Sequence, residues 1–188
     1  FVSLGAILLW VLTSFRVKNG YIKQLETAIS KRQIDFEELN VDVQDAAMVK
    51  TIEETLTTGD EIKQLFAFEI IEGLPLHPWR NTISSLFKDS SSNVRKRILT
   101  LAWDEQDIVS NTDLIEAIKK RDEVSSEAIV ISGKRKLSEI QDDLEKLLDD
   151  PSQELSAAAA AAIIDIDSGS QDKAKEILNN ALESLSLI

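Results

Sequence analysis

The chain has 188 residues, of which 43% are hydrophobic and 29% are charged, and its formal net charge at pH 7 is −12. This composition is typical of a folded protein with a buried core, and it argues against disorder. The chain has no Cys, which excludes disulfides and thiolate chemistry. Its acidic charge repels phosphate backbones, so we expect no nucleic acid among its partners.

Residues 1–15 carry no charged side chain, and Arg16, Lys18 and Lys23 follow soon after them. An apolar stretch that ends in Lys and Arg is typical of a transmembrane helix where it reaches the cytoplasm. Because this stretch is shorter than the roughly 20 residues needed to cross a bilayer, we expect the end of a transmembrane helix. Residues 1–18 would contact the membrane, and the basic side chains would lie near anionic lipid headgroups. The alternative is a buried core helix, which short apolar runs also form.

The helical pattern continues beyond the basic residues, since Tyr21, Ile22, Leu25 and Ile29 recur at three- and four-residue spacing. We therefore predict three regions. Residues 1–33 form the end of the transmembrane helix and its continuation into the cytoplasm, and residues 34–57 form an acidic turn and a connecting helix from about residue 43. Residues 58–188 form a helical-repeat region, which opens at Thr58-Gly59-Asp60 because these residues are typical of a helix end followed by a helix cap.

Two sets of apolar residues recur along this last region, both with a period of about 30 residues. The first set opens a helix face in each unit, and its members are almost equally spaced: Ile62, Val94, Val124 and Leu155. The second set closes the second helix of each unit and keeps the same spacing: Leu86, Ile118, Leu148 and Leu178. Units of this length built from two helices predict an α-solenoid of about four helix pairs. The alanines at 157–162 predict close helix packing in the last unit, because their side chains are small.

One joint between units, Asp89-Ser90-Ser91-Ser92-Asn93-Val94-Arg95, resembles the turn and first helix of HEAT repeats, in which a D-x-x-x-x-V-R joint opens an apolar helix. Asp150-Pro151-Ser152-Gln153-Glu154-Leu155-Ser156 is similar, with Ser156 where Arg is usual. Glu123-Val124-Ser125 departs further, since it lacks the basic residue. The resemblance implies an all-α fold, a right-handed α-solenoid of HEAT-like helical hairpins. Because two of the joints lack the Arg, we do not expect a continuous row of basic side chains along the solenoid.

A longer resemblance begins at Phe1 and centres on Arg16-Val17-Lys18-Asn19-Gly20-Tyr21-Ile22-Lys23-Gln24-Leu25-Glu26. This segment, together with Thr58-Gly59-Asp60 and His77-Pro78-Trp79-Arg80, resembles the HEAT-repeat extension after the last membrane helix of bacterial ATP/ADP-translocase-like transporters. Those transporters are of the major-facilitator type. The resemblance implies a location in the bacterial inner membrane, with the solenoid in the cytoplasm. It also implies nucleotide transport for a parent protein whose transport residues lie upstream, and we interpret the chain, which begins without Met, as its C-terminal piece.

The residues that could carry chemistry are few. His77 is the only His, and without Cys a zinc site would need carboxylates alone to complete it. The glycines are scattered and form no loop that could hold a phosphate. We therefore expect no enzymatic activity, no cofactor and no metal site.

Four residues are candidates for protein interaction, because Trp and Arg are favoured at binding hot spots: Trp79, Arg80, Arg95 and Arg97. In the alternative interpretation, Trp79 packs between adjacent repeats and Arg80 pairs with a nearby acid. We expect a non-catalytic module that binds its own membrane domain or another subunit, or that regulates a transporter-like protein. Two alternatives stay open, a structural appendix of a nucleotide transporter and a free soluble helical scaffold.

Overall fold

The computed structural model of this protein describes residues 43–166 and 170–185. These ranges contain nine α-helices and two 3₁₀ helices and no strand, so the prediction of an all-α fold is confirmed. The α-helices are α1 Ala46–Thr58, α2 Glu61–Ile71, α3 Arg80–Asp89, α4 Ser92–Ala102, α5 Asn111–Lys120, α6 Ser125–Lys134, α7 Gln141–Leu147, α8 Gln153–Ile166 and α9 Gln171–Leu185. The 3₁₀ helices are His77–Trp79 and Ser138–Ile140.

The helix boundaries follow from short polar side chains that cap them. Asp45 accepts a hydrogen bond from the Ala47 amide at 2.9 Å, which starts α1 a few residues later than predicted. Asp60 accepts one from the Lys63 amide at 3.0 Å. The prediction that Thr58-Gly59-Asp60 ends one helix and caps the next is therefore confirmed.

The chain divides into two compact units between Thr82 and Ile83, within the predicted repeat region. In the described part of the first unit, α1 packs against α2 and against the 3₁₀ helix at His77–Trp79. The centre of this unit holds fully buried side chains from all three elements: Ile52, Leu56, Phe68, Ile71 and Trp79. A hydrogen bond from the Trp79 indole N–H to the Val49 carbonyl oxygen, at 3.0 Å, ties the 3₁₀ helix to α1.

In the second unit, three helices lie side by side, with α4 against α6 and α6 against α8. Their side chains show that they run parallel. Lys96 near the start of α4 pairs with Glu127 near the start of α6 at 3.1 Å, and Lys134 at the end of α6 bonds to Trp103 just after α4. Of the other helices, α5 packs against α6, whereas α7 and α9 pack against α8. The first helices of the second, third and fourth predicted pairs thus form one layer.

A close approach within this layer lies where Gly133 of α6 faces Ala162 of α8. A Cβ atom placed on Gly133 would lie 2.5 Å from the Ala162 Cα and 2.7 Å from its Cβ. Four members of the alanine run are buried in the unit: Ala158, Ala159, Ala160 and Ala162. The close packing predicted for the run is therefore confirmed, and its partner is α6.

Several predictions concern residues that lie outside the described ranges. They are the transmembrane helix and its continuation over 1–33, the acidic turn up to residue 42, and the lipid contacts of Arg16, Lys18 and Lys23. Within residues 43–166 and 170–185, no helix is both long and apolar enough to span a membrane.

We predict that Gly133→Ala destabilises the protein by about 1–3 kcal/mol, because the added methyl group collides with the α8 backbone. This cost exceeds the roughly 0.5–1 kcal/mol that Ala gains over Gly inside a helix. Urea denaturation of the full chain, followed by circular dichroism, measures the change. Ser85→Ala at an exposed site on α3 is the control and should shift the free energy of unfolding by less than about 0.5 kcal/mol. A Gly133→Ala protein as stable as the parent would contradict the close approach.

Candidate protein-interaction groove

The structure places two of the predicted interaction residues in the first unit. Trp79 is fully buried there, as the alternative interpretation of a packing residue expects, and its ring offers no surface to a partner. Arg80 is half-buried at the start of α3. Trp79 was a candidate interaction residue because an aromatic side chain and a guanidinium stand together at a helix start. In the structure, Trp79 makes a core contact instead.

Arg95 and Arg97 lie in the second unit, on α4, where both are half-buried. The Arg95 side chain is only 14% exposed and bonds to Asp122 through Nη1 at 2.7 Å. Its Nε donates to the Phe87 carbonyl oxygen at 3.0 Å, and its guanidinium lies 5.2 Å from the centroid of the Phe87 ring. Arg95 therefore connects α3, α4 and the next joint rather than facing solvent.

The contact between Arg95 and Phe87 has a counterpart one repeat later. Ser125 stands one residue after Val124, as Arg95 stands one residue after Val94, and its Oγ donates to the Ala117 carbonyl oxygen at 2.9 Å. Both bonds reach back eight residues to the end of the preceding helix. Ser156, at the next equivalent position, bonds within its own helix turn instead, to the Gln153 carbonyl oxygen at 3.2 Å.

Two joint carboxylates also repeat their contacts. Asp122 accepts a hydrogen bond from the Val124 amide at 3.1 Å, and Asp150 accepts one from the Ser152 amide at 2.9 Å. Each also pairs with an Arg from an earlier position, Asp122 with Arg95 and Asp150 with Arg121. Burial by itself would raise the pKa of Asp122. The hydrogen bond from Arg95, the hydrogen bond from the Val124 amide and the positive charge of Arg95 outweigh burial and lower this pKa below its ordinary value.

A groove runs across the layer formed by α4, α6 and α8, with a volume of about 630 Å³. Its floor is apolar, and its rim carries the polar groups. The lining residues are Leu99, Thr100, Trp103 and Asp104 from α4 and the residues that follow it, Ser126, Glu127, Val130 and Ile131 from α6, and Glu154, Ala157, Ala158 and Ala161 from α8. None of these was predicted from the sequence to line a binding site, and Ala157, Ala158 and Ala161 were predicted only to take part in close helix packing.

A periodic signal in the sequence corresponds to the groove. Leu99, Val130 and Ala161 are equally spaced in the chain, occupy the same position in three successive first helices, and all line the floor. Their side chains become smaller from α4 to α8. A comparison of the residues at this one position in successive first helices would therefore have identified the face that forms the groove.

One end of the groove is marked by the indole of Trp103, which is 43% exposed. The Lys134 Nζ lies 4.0 Å from the centroid of the Trp103 ring and donates to the Trp103 carbonyl oxygen at 2.7 Å. A cation over an indole face is attractive. The ring is thus held in a fixed place at the surface.

Arg135 fixes the backbone that carries Trp103. Its guanidinium donates to the Ala102 carbonyl oxygen at 3.4 Å and to the Val109 carbonyl oxygen at 2.7 Å, and so joins the end of α4 to the segment before α5. Burial lowers the pKa of Arg135 below its ordinary value.

The opposite end of the groove is acidic. The Ser126 hydroxyl lies 2.7 Å from Glu154 Oε1 and 3.0 Å from Glu127 Oε2. The hydrogen bond with Glu127 raises the pKa of Lys96, and the charges of Glu127, Glu154 and Glu123 raise it further. Three carboxylates and no basic side chain line the groove. Glu127 pairs with Lys96, and Asp104 lies 3.9 Å from the Lys134 Nζ, so Glu154 is the lining carboxylate that most favours a cationic group at the rim.

Two observations bear on what kind of site this is. Within the described ranges, no group of three or more His, Cys, Asp or Glu side chains is arranged to hold a metal ion. The chain matches no protein-family model, no curated protein and no solved structure. The groove is therefore interpreted from its own shape and charge.

We predict that Asp122→Asn lowers the free energy of unfolding at pH 7 by about 1–2 kcal/mol, since it removes a charge-assisted hydrogen bond from Arg95. Because the pKa of Asp122 is lower in the folded than in the unfolded state, the ionised carboxylate stabilises the fold above about pH 4. This contribution is lost as the pH falls through the folded-state pKa.

The difference between wild type and Asp122→Asn should consequently shrink between pH 7 and pH 3, as measured by urea denaturation at each pH. Asp89→Asn, at an exposed joint carboxyl, should differ from wild type by less than about 0.5 kcal/mol throughout. A pH-independent difference for Asp122→Asn would show that the Arg95 contact does not depend on charge.

Proposed function

We propose that this chain is a non-catalytic helical-repeat module that binds a protein through the groove across α4, α6 and α8. The observation that carries the proposal is an apolar floor made from equivalent positions of three parallel helices, with an exposed Trp103 at its rim. Trp is enriched at binding hot spots. An apolar groove between helices suits an amphipathic helix, which inserts side chains at helical spacing.

The proposed architecture is a right-handed α-solenoid of HEAT-like hairpins. Three features support it: the regular recurrence of apolar positions in the sequence, the parallel layer of first helices, and the contacts repeated at successive joints. In such a solenoid each helix pair buries its apolar face against its neighbours, so equivalent positions line a shared surface.

The proposal further attaches the module to a membrane protein similar to the ATP/ADP-translocase-like transporters, with the repeats in the cytoplasm. Its support is the uncharged stretch over residues 1–15 followed by Arg16, Lys18 and Lys23. The module would bind its own membrane domain or another subunit, and any transport would belong to the membrane domain.

Filling the groove should abolish binding. Ala161 lines the groove and is half-buried, so Ala161→Phe places a ring in the groove. The probe is a fluorescent, uncharged amphipathic peptide of about 18 residues, long enough to form a helix, with Leu on one face and Gln elsewhere. Fluorescence anisotropy with the full chain in detergent should show binding to wild type and none to Ala161→Phe.

Two further variants make this test specific. Trp103→Ala should weaken peptide binding about 30-fold, because truncating a Trp hot spot costs about 2 kcal/mol or more. Ala46→Phe introduces the same ring at an exposed position of α1 in the first unit and should bind like wild type. Equal binding by wild type and Ala161→Phe, or no binding to either, would contradict the groove as the site.

Membrane attachment predicts a separate result. The full chain should float with phosphatidylcholine liposomes in a density gradient, whereas a chain lacking residues 1–18 should stay at the bottom and keep its helical circular dichroism spectrum. If the full chain stays at the bottom as a folded monomer, and the deletion unfolds it, residues 1–15 belong to a core and the attachment is wrong.

A further inference from the structure

The two ends of the groove differ in chemistry, and this difference restricts what can bind there. One end holds the Trp103 indole and the Asp104 carboxylate, both beside Lys134, whereas the other holds the Glu127 and Glu154 carboxylates. Glu127 and Lys134 are seven residues apart on α6, or about 10 Å at 1.5 Å per residue. The groove is thus about two helical turns long, with an aromatic end and an acidic end.

The acidic end has an excess of negative charge. Lys96 lies 3.1 Å from Glu127 and is its partner. Glu154 is exposed and accepts a hydrogen bond from Ser126, and no cation forms a salt bridge with it within the described residues. Glu123 adds a third carboxylate close enough to raise the pKa of Lys96.

The floor between the two ends is built from apolar side chains alone. A small ligand would need polar groups that converge on it from within the pocket to fix its orientation, and here the polar groups lie on the rim. An apolar floor with a charged rim matches the two faces of an amphipathic helix, whose apolar side enters the groove while its polar side meets the rim.

From this arrangement we propose that the partner is a basic amphipathic helix, which inserts apolar side chains between α4, α6 and α8 and pairs Lys or Arg at one end with Glu127 and Glu154. The proposal rests on the function proposed above and adds the charge and the orientation of the partner. The net charge of −12 would in addition speed encounter with a cationic segment at low salt.

The test compares three peptides of about 18 residues with the same Leu face and with Lys, Gln or Glu at one end of the polar face. Binding to the full chain is measured by fluorescence anisotropy. The Lys peptide should bind about tenfold more tightly than the Gln peptide, as expected for two exposed ion pairs, and the Glu peptide should bind more weakly than either. Raising the salt from about 0.01 M to about 1 M shortens the Debye length from about 30 Å to about 3 Å and should remove the preference.

Matched charge variants localise the effect. Glu127→Gln/Glu154→Gln should reduce the preference for Lys over Gln from about tenfold to about twofold. Glu139→Gln/Glu176→Gln removes two exposed carboxylates outside the groove, makes the same change in net charge, and should leave the preference intact. A preference lost equally in both double variants would reflect overall charge and would overturn the assignment to Glu127 and Glu154.

The outcomes separate this inference from the function on which it rests. If the Lys and Gln peptides bind wild type equally and both are lost in Ala161→Phe, the groove binds helices but the inferred charge of the partner is wrong. If none of the three peptides binds wild type, the helix-binding function itself is wrong.

Discussion

The second unit depends on how closely α6 and α8 pack. They approach until Gly133 lies against Ala162 with no space for a Cβ, and three further alanines of α8 are buried. A larger residue at either position would push the helices apart, since packed interiors tolerate little added volume. Other members of the same alanine run line the groove, namely Ala157, Ala158 and Ala161, so the run supplies both the close helix contact and part of the groove.

Polar contacts at the joints hold the helices of this layer in register. Arg95 and Ser125 bond back to the end of the preceding helix, and Asp122 and Asp150 each receive an Arg and a backbone amide. These groups are partly or fully buried, where an unpaired polar atom would be costly. Breaking these pairs would therefore cost free energy. The paired groups keep the three first helices parallel, so that equivalent side chains share a surface.

Much of this fold follows from local sequence signals. The regular recurrence of apolar positions predicted where helices lie, although Ile62, which was predicted to open an apolar helix face, is exposed. Asp60 caps a helix and Ala162 packs closely, as their chemistry suggests. The groove was harder to predict, because it depends on which side chains of separate helices share a face. Trp79 illustrates the difficulty, since a Trp beside an Arg suits a hot spot and a core equally, and only packing places it inside. Trp103, whose surroundings are set by Lys134 and Arg135, is the exposed one.

The central claim is that equivalent positions of α4, α6 and α8 form one binding surface for a basic helix. Methyl NMR of the full chain, titrated with the Lys peptide, tests it most directly. Resonances of Leu99, Val130 and Ala161 should shift together along one binding curve, while those of Ile115 on α5 and Ile177 on α9, which lie outside the groove, should stay in place. Shifts confined to Ile115 and Ile177, or to residues of the first unit, would contradict the account.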